Sequence, residues 1–473
     1  MEAVGLEPGG PDGSWLQPFD IVGVNTEMPD HWVFRGNDQS VTLDKLSEFM
    51  IASGIQEPEL RIDDAELVFV GYGIEAPEYD WDDYKGADLE GKVLVMLNND
   101  PHWDPDLFEG ERRLYYGRWT YKYEIAAEKG AAGAIIIHTT PSAGYGWNVV
   151  ETSWAGEQFH LPAGDEQATP VEAWVTEEAA REILQLTGYE LDELVAKARS
   201  RDFRPVPLGL ITSVSAENEI HRVRTANVAG LLRGSDPVLN QEVVVYTAHH
   251  DHLGTAEGDA EDLIYNGALD NASGTAQVLA IARAMAALPS RPARSVLFLF
   301  VAAEEQGLLG SAYYAANPTF HPGRIAANIN LDGGNIWGPT RDLTFIGLGK
   351  SSLDDYVLSF AEMQDRVVKP DQFPDRGFFY RSDQFNFAKI GVPAVYPDTG
   401  TEFIGRPEGW GEEQMEKWVA VNYHQVNDEL EDWWDFGGMI QDAQLAYFVG
   451  LAVAESQEMP AWNPGDEFEA ARV

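Results

Sequence analysis

Two patterns of apolar and polar positions divide the chain. From about Ala226 onward, uninterrupted apolar runs alternate with amphipathic stretches. "EVVVYTAH", "RSVLFLFVAAEE", "ANINLD" and "GVPAVYPD" lack the polar alternation of a half-exposed strand and predict buried strands. Between them "NASGTAQVLAIARAMAAL" predicts a helix, with Asn271 or Ser273 available as its cap. "DAQLAYFVGLAVAES" predicts a final amphipathic helix. Buried strands separated by helices predict an α/β fold: a mainly parallel, mixed sheet with helices on both faces.

From about Ala65 to Val206 the pattern is different. Aromatics and glycines are frequent, and "ELVFVGYG", "GKVLVML" and "GAIIIH" read as strands bounded by turn residues. "YKYEIAAEKG" reads as a short helix stopped by Gly130. A chain of 473 residues is too long for one compact core. The expected division is a strand-rich insert over 61–206 and a larger domain over 1–60 and 207–473. "MEAVGLEPGG" reads as the last turn of a helix closed by Gly and followed by Pro, so a leader or earlier structure is expected to be missing.

Composition narrows the chemistry. There is no cysteine, which excludes disulfides, thiolate metal sites and a cysteine nucleophile. Any metal must be held by His, Asp and Glu. The formal charge of −46 argues against strong binding to nucleic acid or an anionic membrane, both of which need basic patches. The acid is spread along the chain and reads as a solvated surface. No apolar stretch approaches the roughly 18 residues of a membrane span.

Polar groups collect at the ends of the buried strands. The first ends in His249-His250-Asp251-His252, the second in Glu304-Glu305 and the third in Asp332, and Asp270 opens the first helix. In open α/β sheets the carboxyl ends of the strands meet at one crevice, where ligands bind. Crowded carboxylates repel and must take up protons unless a cation compensates them. Imidazole with carboxylate oxygen suits zinc, and cobalt or manganese less specifically. Alternation along a strand predicts that Asp251 shares a face with His249 and fixes its tautomer. Taken singly, each element reads as a helix cap, a turn or a surface acid. Their coincidence at strand ends points to a metal site.

"TAHHDHLG", "NGALDNASG", "VAAEEQGLLGS", "NINLDGG", "RSDQFNFAKIGVPAV" and "NYHQVNDEL" occur in that order. Together they resemble the co-catalytic zinc exopeptidases of metallopeptidase family 28, the bacterial leucyl-type aminopeptidases. "FVGYGIEAPEYDWDDY", "GKVLVMLNNDP", "YYGRWTYKYEIAAEKGAAGAIIIH" and "AGYGWNVV" resemble the protease-associated (PA) domain that some bacterial members carry. The resemblance implies two zinc ions per chain, roughly 3.5–4 Å apart. His249 and Asp332 would hold the first, Glu305 and His424 the second, and Asp270 would bridge them. Glu304 would be the general base, and Tyr423 a donor to the oxyanion. A cis peptide is implied between Asp270 and Asn271. Substrates would be peptides with a free N-terminus, their ammonium held by nearby acids, with Glu304 and Asp332 as candidates. Relatives are mostly exported, which implies a secreted or periplasmic protein.

Other enzymes on this scaffold are a dipeptide carboxypeptidase, for which Arg376 and Arg381 could clamp a carboxylate, and a glutaminyl cyclase-like transferase. A non-catalytic binding protein is the third reading, opposed by the intact set of ligands. His250 stands where the family often has a bulky residue and reads as packing or surface. Phe378, Phe379, Tyr380 and Phe385 could line an apolar specificity pocket, although buried aromatics are more often core. "GLGKSS" lacks the first glycine of a phosphate loop, because position 344 is Thr344.

Overall fold

The computed structural model describes residues 1–472 apart from 106, 155, 165–167 and 256–260. It contains two compact units. The first is Met1–Phe19, Arg224–Gln372 and Arg381–Val473; the second is Asp20–Val223 and Phe373–Tyr380. The boundaries therefore fall near residues 19 and 223, not at 60 and 206 as the shift in composition suggested. Unbroken strands, Leu16–Thr26 and Val206–Leu232, run through both boundaries. Composition marks a boundary only where the chain leaves regular structure, and here it does not.

In the second unit, strands Glu59–Phe69, Val93–Leu97, Gly133–His138 and Val171–Thr176 lie side by side and parallel. Phe49–Ser53 closes one side antiparallel. The predicted helix is Trp119–Glu128, followed by Gly130 at φ 68°. Phe69, Val95, Ile135 and Trp174 belong to its core.

The first unit is built on β1 (the end of Val206–Leu232), β2 (Val243–His249), α1 (Gly274–Ala286), β3 (Ser295–Val301), α2 (Leu309–Ala316) and β4 (Ile325–Asn330). It continues through β5 (Asp342–Ile346), α3 (Leu353–Met363), β6 (Val367–Pro370), α4 (Gln384–Lys389), β7 (Ala394–Asp398), α5 (Trp410–Val421) and α6 (Gly437–Glu455). The strand order is β1-β3-β2-β4-β7-β5-β6. Neighbours β3, β2, β4 and β7 are parallel; β1 and β5 join antiparallel. At the N-terminus a single turn, Glu2–Val4, ends at Gly5 with φ 87°, and Glu7–Pro8 pairs with β1.

The apolar runs are explained by burial on both faces. Val244, Tyr246 and Ala248 join Val296, Phe298 and Phe300 in a core shared with Val278 of α1, Val357 of α3 and Val449 of α6. The alternate residues Val243, Val245, Leu297, Leu299 and Val301 form a second core with Tyr314 of α2 and Phe387 of α4. Each such large apolar side chain contributes about 1.5–3 kcal/mol over its exposed state. A strand with no solvated face needs no polar alternation.

One glycine sets how closely α6 approaches the sheet. The Tyr246 hydroxyl donates to the Ala446 carbonyl at 2.8 Å. A Cβ on Gly450 would lie 1.9 Å from that hydroxyl oxygen. Gly450→Ala is expected to cost about 2 kcal/mol through overpacking. Urea unfolding of the two chains measures it, and equal midpoints would contradict the close approach. Among the described residues no helix is long and apolar enough to cross a membrane.

β2 is flanked by β3 on one side and β4 on the other. The chain thus passes to opposite sides of β2, and the carboxyl ends of these strands frame a crevice. Every ligand candidate sits at that rim or on a loop beside it, within the first unit.

Candidate metal centre

His249 is the last residue of β2 and is buried. Its Nδ1 lies 3.2 Å from the backbone carbonyl oxygen of Asp251. A hydrogen on Nδ1 donated there leaves Nε2 to face the site. The Asp251 carboxylate stands 3.9 Å from Nδ1 and accepts instead from the Ala303 amide at 2.5 Å. The main chain of Asp251 thus makes the shorter contact with the imidazole, whereas alternation had assigned that task to its side chain. The strand ends at His249, so the two-residue alternation no longer applies beyond it.

Asp270 precedes α1. The amides of Leu269 and Asp270 donate to the two oxygens of Asp428 at 2.8 and 3.0 Å. The Asp270–Asn271 peptide is cis. Asn271 Oδ1 accepts from the amide of Gly274, the first residue of α1, at 2.9 Å, and also from that of Gly333. Ser273 instead donates to the Leu269 carbonyl at 2.6 Å. After β3 the chain turns at Ala303, φ 56°, and delivers Glu304 and Glu305. Asp332 follows β4 by two residues, and its Oδ2 accepts from Ser382. His424, at φ 56°, follows α5, with its ring stacked on Tyr423 at 3.9 Å.

These groups meet. His249 Nε2 lies 3.1 Å from Asp270 Oδ1 and 3.1 Å from Asp332 Oδ1. His424 Nε2 lies 3.3 Å from Asp270 Oδ2 and 3.1 Å from Glu305 Oε2. One carboxylate therefore turns its two oxygens to two different imidazoles. Ligand atoms of His249, Glu304 and Asp332 lie within 4.8 Å of one another, as do those of His249, Asp270 and Glu305.

A metal fits this donor set on two grounds. Atoms bound about 2.0 Å from a tetrahedral zinc stand about 3.3 Å apart, close to the spacings here. Moreover, His424 Nε2 is buried beside two carboxylates yet makes a well-formed hydrogen bond with neither. A single N–H cannot serve two acceptors well, whereas a lone pair directed at a shared cation can. The donors are nitrogen and oxygen alone, the set suited to zinc.

The charges of the site bear out the crowding. Burial opposes a charge on His249, but Asp332, Glu304 and Asp270 together lift its pKa well above the ordinary imidazole value. Burial likewise opposes charge on His424, yet Asp270 and Glu305 raise its pKa to about 9. Glu304 is pushed well above the carboxylate range, first by burial; His249 opposes the rise, and Glu305, Asp332 and Asp383 add to it. Burial raises the Tyr423 hydroxyl, with Arg381 opposing and Asp270, Glu305 and Glu304 adding, so it stays a donor.

His250 is exposed and meets the Ala226 carbonyl at 3.2 Å, in keeping with a surface role. Arg376 belongs to the second unit, where it covers the Phe373 ring at 4.1 Å. Phe378, Phe379 and Tyr380 also belong to the second unit, and Phe385 is in the core of the first. Ser382, Asp428 and His252 carry no role in the sequence reading, although each lies inside a quoted motif. Ser382 also accepts from Asn330 at 2.7 Å, which ties Asp332 to β4. The available signal was position: each is a short polar residue within four of a metal-site candidate or on a loop returning to the rim.

Residues 227–447 match the profile described as Peptidase family M28. Aminopeptidase YwaD of Bacillus subtilis strain 168 is 28% identical over 208 residues, which is 43% of this chain and 40% of that protein. An aminopeptidase structure from Aneurinibacillus sp. strain AM-1 is 20% identical with a TM-score of 0.48, covering 95% of this chain and 84% of that one. The structure of BSAP, a zinc aminopeptidase from Bacillus subtilis, is 18% identical with a TM-score of 0.39, covering 96% and 87%. The chain spans less than half the length of the curated relatives it matches. Residues 227–447, which carry every candidate ligand, are thus the part of the chain that is similar to peptidase family M28.

Proposed function

We propose that the chain is a two-zinc aminopeptidase that removes the N-terminal residue of peptides. The observation that carries this reading is Asp270, whose two oxygens face His249 and His424 separately. His249 with Asp332, and His424 with Glu305, would each hold one ion, and Asp270 would be shared. The YwaD relative is named an aminopeptidase, and the BSAP structure is described as a zinc aminopeptidase.

Zinc, if held by these residues, would supply Lewis-acid chemistry and would make a nearby water more acidic. Glu304, buried beside the imidazole of His249, takes a proton from the attacking water and returns it to the leaving amine. Tyr423, kept protonated, donates to the oxyanion as it forms. Ser382 already occupies Asp332 Oδ2, which leaves Glu304 the better placed of the two acids for the substrate ammonium. We read the second unit as the protease-associated module.

The test is a panel of aminoacyl anilides, the same compounds blocked at nitrogen, and N-blocked peptides with a free carboxyl end, assayed with zinc-loaded chain. Cleavage of the free amines alone is expected. Equal cleavage of blocked substrates would contradict the ammonium requirement, and cleavage from the carboxyl end would favour the carboxypeptidase reading.

A further inference from the structure

His252 is the third histidine of "TAHHDHLG", and the reaction above gives it no task. Its side chain is 5% exposed, and its Nδ1 stands 2.7 Å from Glu305 Oε1. The other oxygen of that carboxylate, Oε2, is the one that faces His424 at 3.1 Å. Glu305 is therefore gripped from both sides. A carboxylate oxygen only accepts, so the hydrogen of this contact sits on Nδ1.

The ring is positioned by shape. It meets the His424 ring edge to face, with centroids 5.7 Å apart. A Cβ on Gly267 would lie 2.7 Å from His252 Cγ, so only glycine at 267 leaves the imidazole its place. Its Nε2 is buried and has no hydrogen-bond partner among the described residues. Among the described residues no group on the far edge competes for the orientation that aims Nδ1 at Glu305.

We infer that His252 is a positioning residue that occupies Glu305 Oε1 and thereby confines Glu305 to one oxygen, Oε2, toward the metal. This rests on the two-zinc reading of the site. A carboxylate free at both oxygens can bind a cation through one or both. With Oε1 held by an N–H, one mode is removed and the ligand is oriented before the ion arrives. Loss of such an outer partner typically lowers metal affinity about 10- to 100-fold.

The variants are His252→Ala and His252→Asn in the full chain. The Asn amide nitrogen hangs from Cγ as Nδ1 does, so it can donate from nearly the same point. Zinc affinity is measured by competition with a chromogenic chelator, and the ligand field by the visible absorption of the cobalt-loaded chain; neither needs substrate. His252→Ala should weaken one of the two zinc sites about 10- to 100-fold and shift the cobalt bands toward higher coordination. His252→Asn should restore both.

Unchanged affinity and spectrum in His252→Ala would overturn the inference. Equal loss in both variants would overturn it too, since His252 would then be a ligand itself. If the unaltered chain holds no zinc beside Glu305, the two-zinc reading fails first and takes this inference with it. That outcome is visible before any variant is made.

Discussion

Glu304→Gln is expected to lower kcat about 1,000-fold, within the usual range for loss of a general acid–base group, while the chain keeps its zinc. The amide has nearly the size and shape of the carboxyl, so the buried site around His249 and Asp332 should not rearrange. It cannot take a proton from water at neutral pH, nor hand one to the leaving amine. Glu304 is a candidate for chemistry because its immediate neighbour already has the structural task. Glu305 presents one oxygen to His424 and the other to His252. Glu304 points to the His249 and Asp332 side and carries a raised pKa. The loss of proton transfer should appear in kcat, and KM should rise as well because Glu304 is also proposed to hold the substrate ammonium. Steady-state kinetics on an aminoacyl anilide, with zinc determined on the same sample, decides it. Loss of zinc together with activity would instead make Glu304 a ligand.

Asp270→Asn is expected to weaken zinc binding by more than the roughly 100-fold that loss of an outer partner costs, and to abolish measurable turnover. Among the described residues Asp270 is the group whose two oxygens face the His249 and His424 imidazoles at 3.1 and 3.3 Å. Its replacement leaves one oxygen and one NH2, so at least one metal position faces a donor instead of an acceptor. The backbone should be unaffected, because the Asp270 amide is held by Asp428 and not by its own side chain. The variant therefore separates the shared carboxylate from the fold. With metal removed from both, circular dichroism and the unfolding midpoint should match those of the unaltered chain.

The fold of the first unit was legible because burial on both faces leaves a plain mark in sequence. Val243 to Ala248 and Val296 to Val301 are apolar without alternation, and they are the strands at its centre. The meeting of His249, Asp270, Glu305 and Asp332 was anticipated for a related reason, since parallel strands bring their carboxyl ends to one rim, whereas His424, on the loop after α5, was named only through the family resemblance. The boundaries of the two units were not, since Val206–Leu232 is one continuous strand whose residues show no break where the units divide. The partner of the His249 imidazole was misassigned to the Asp251 side chain because a strand's end cannot be read to one residue from apolar pattern. Asp428 and Ser382 stayed hidden because their task depends on loops that return from far along the chain. Asp428 holds amides about 160 positions earlier, and no local pattern encodes such a meeting.

The most direct measurement is zinc content per chain, by mass spectrometry of metal-replete protein after removal of loosely bound ions, with Asp270→Asn beside it. Two ions in the unaltered chain and one or none in the variant is the expected result. One ion or none in the unaltered chain, or two retained in Asp270→Asn, would contradict a pair of cations sharing Asp270.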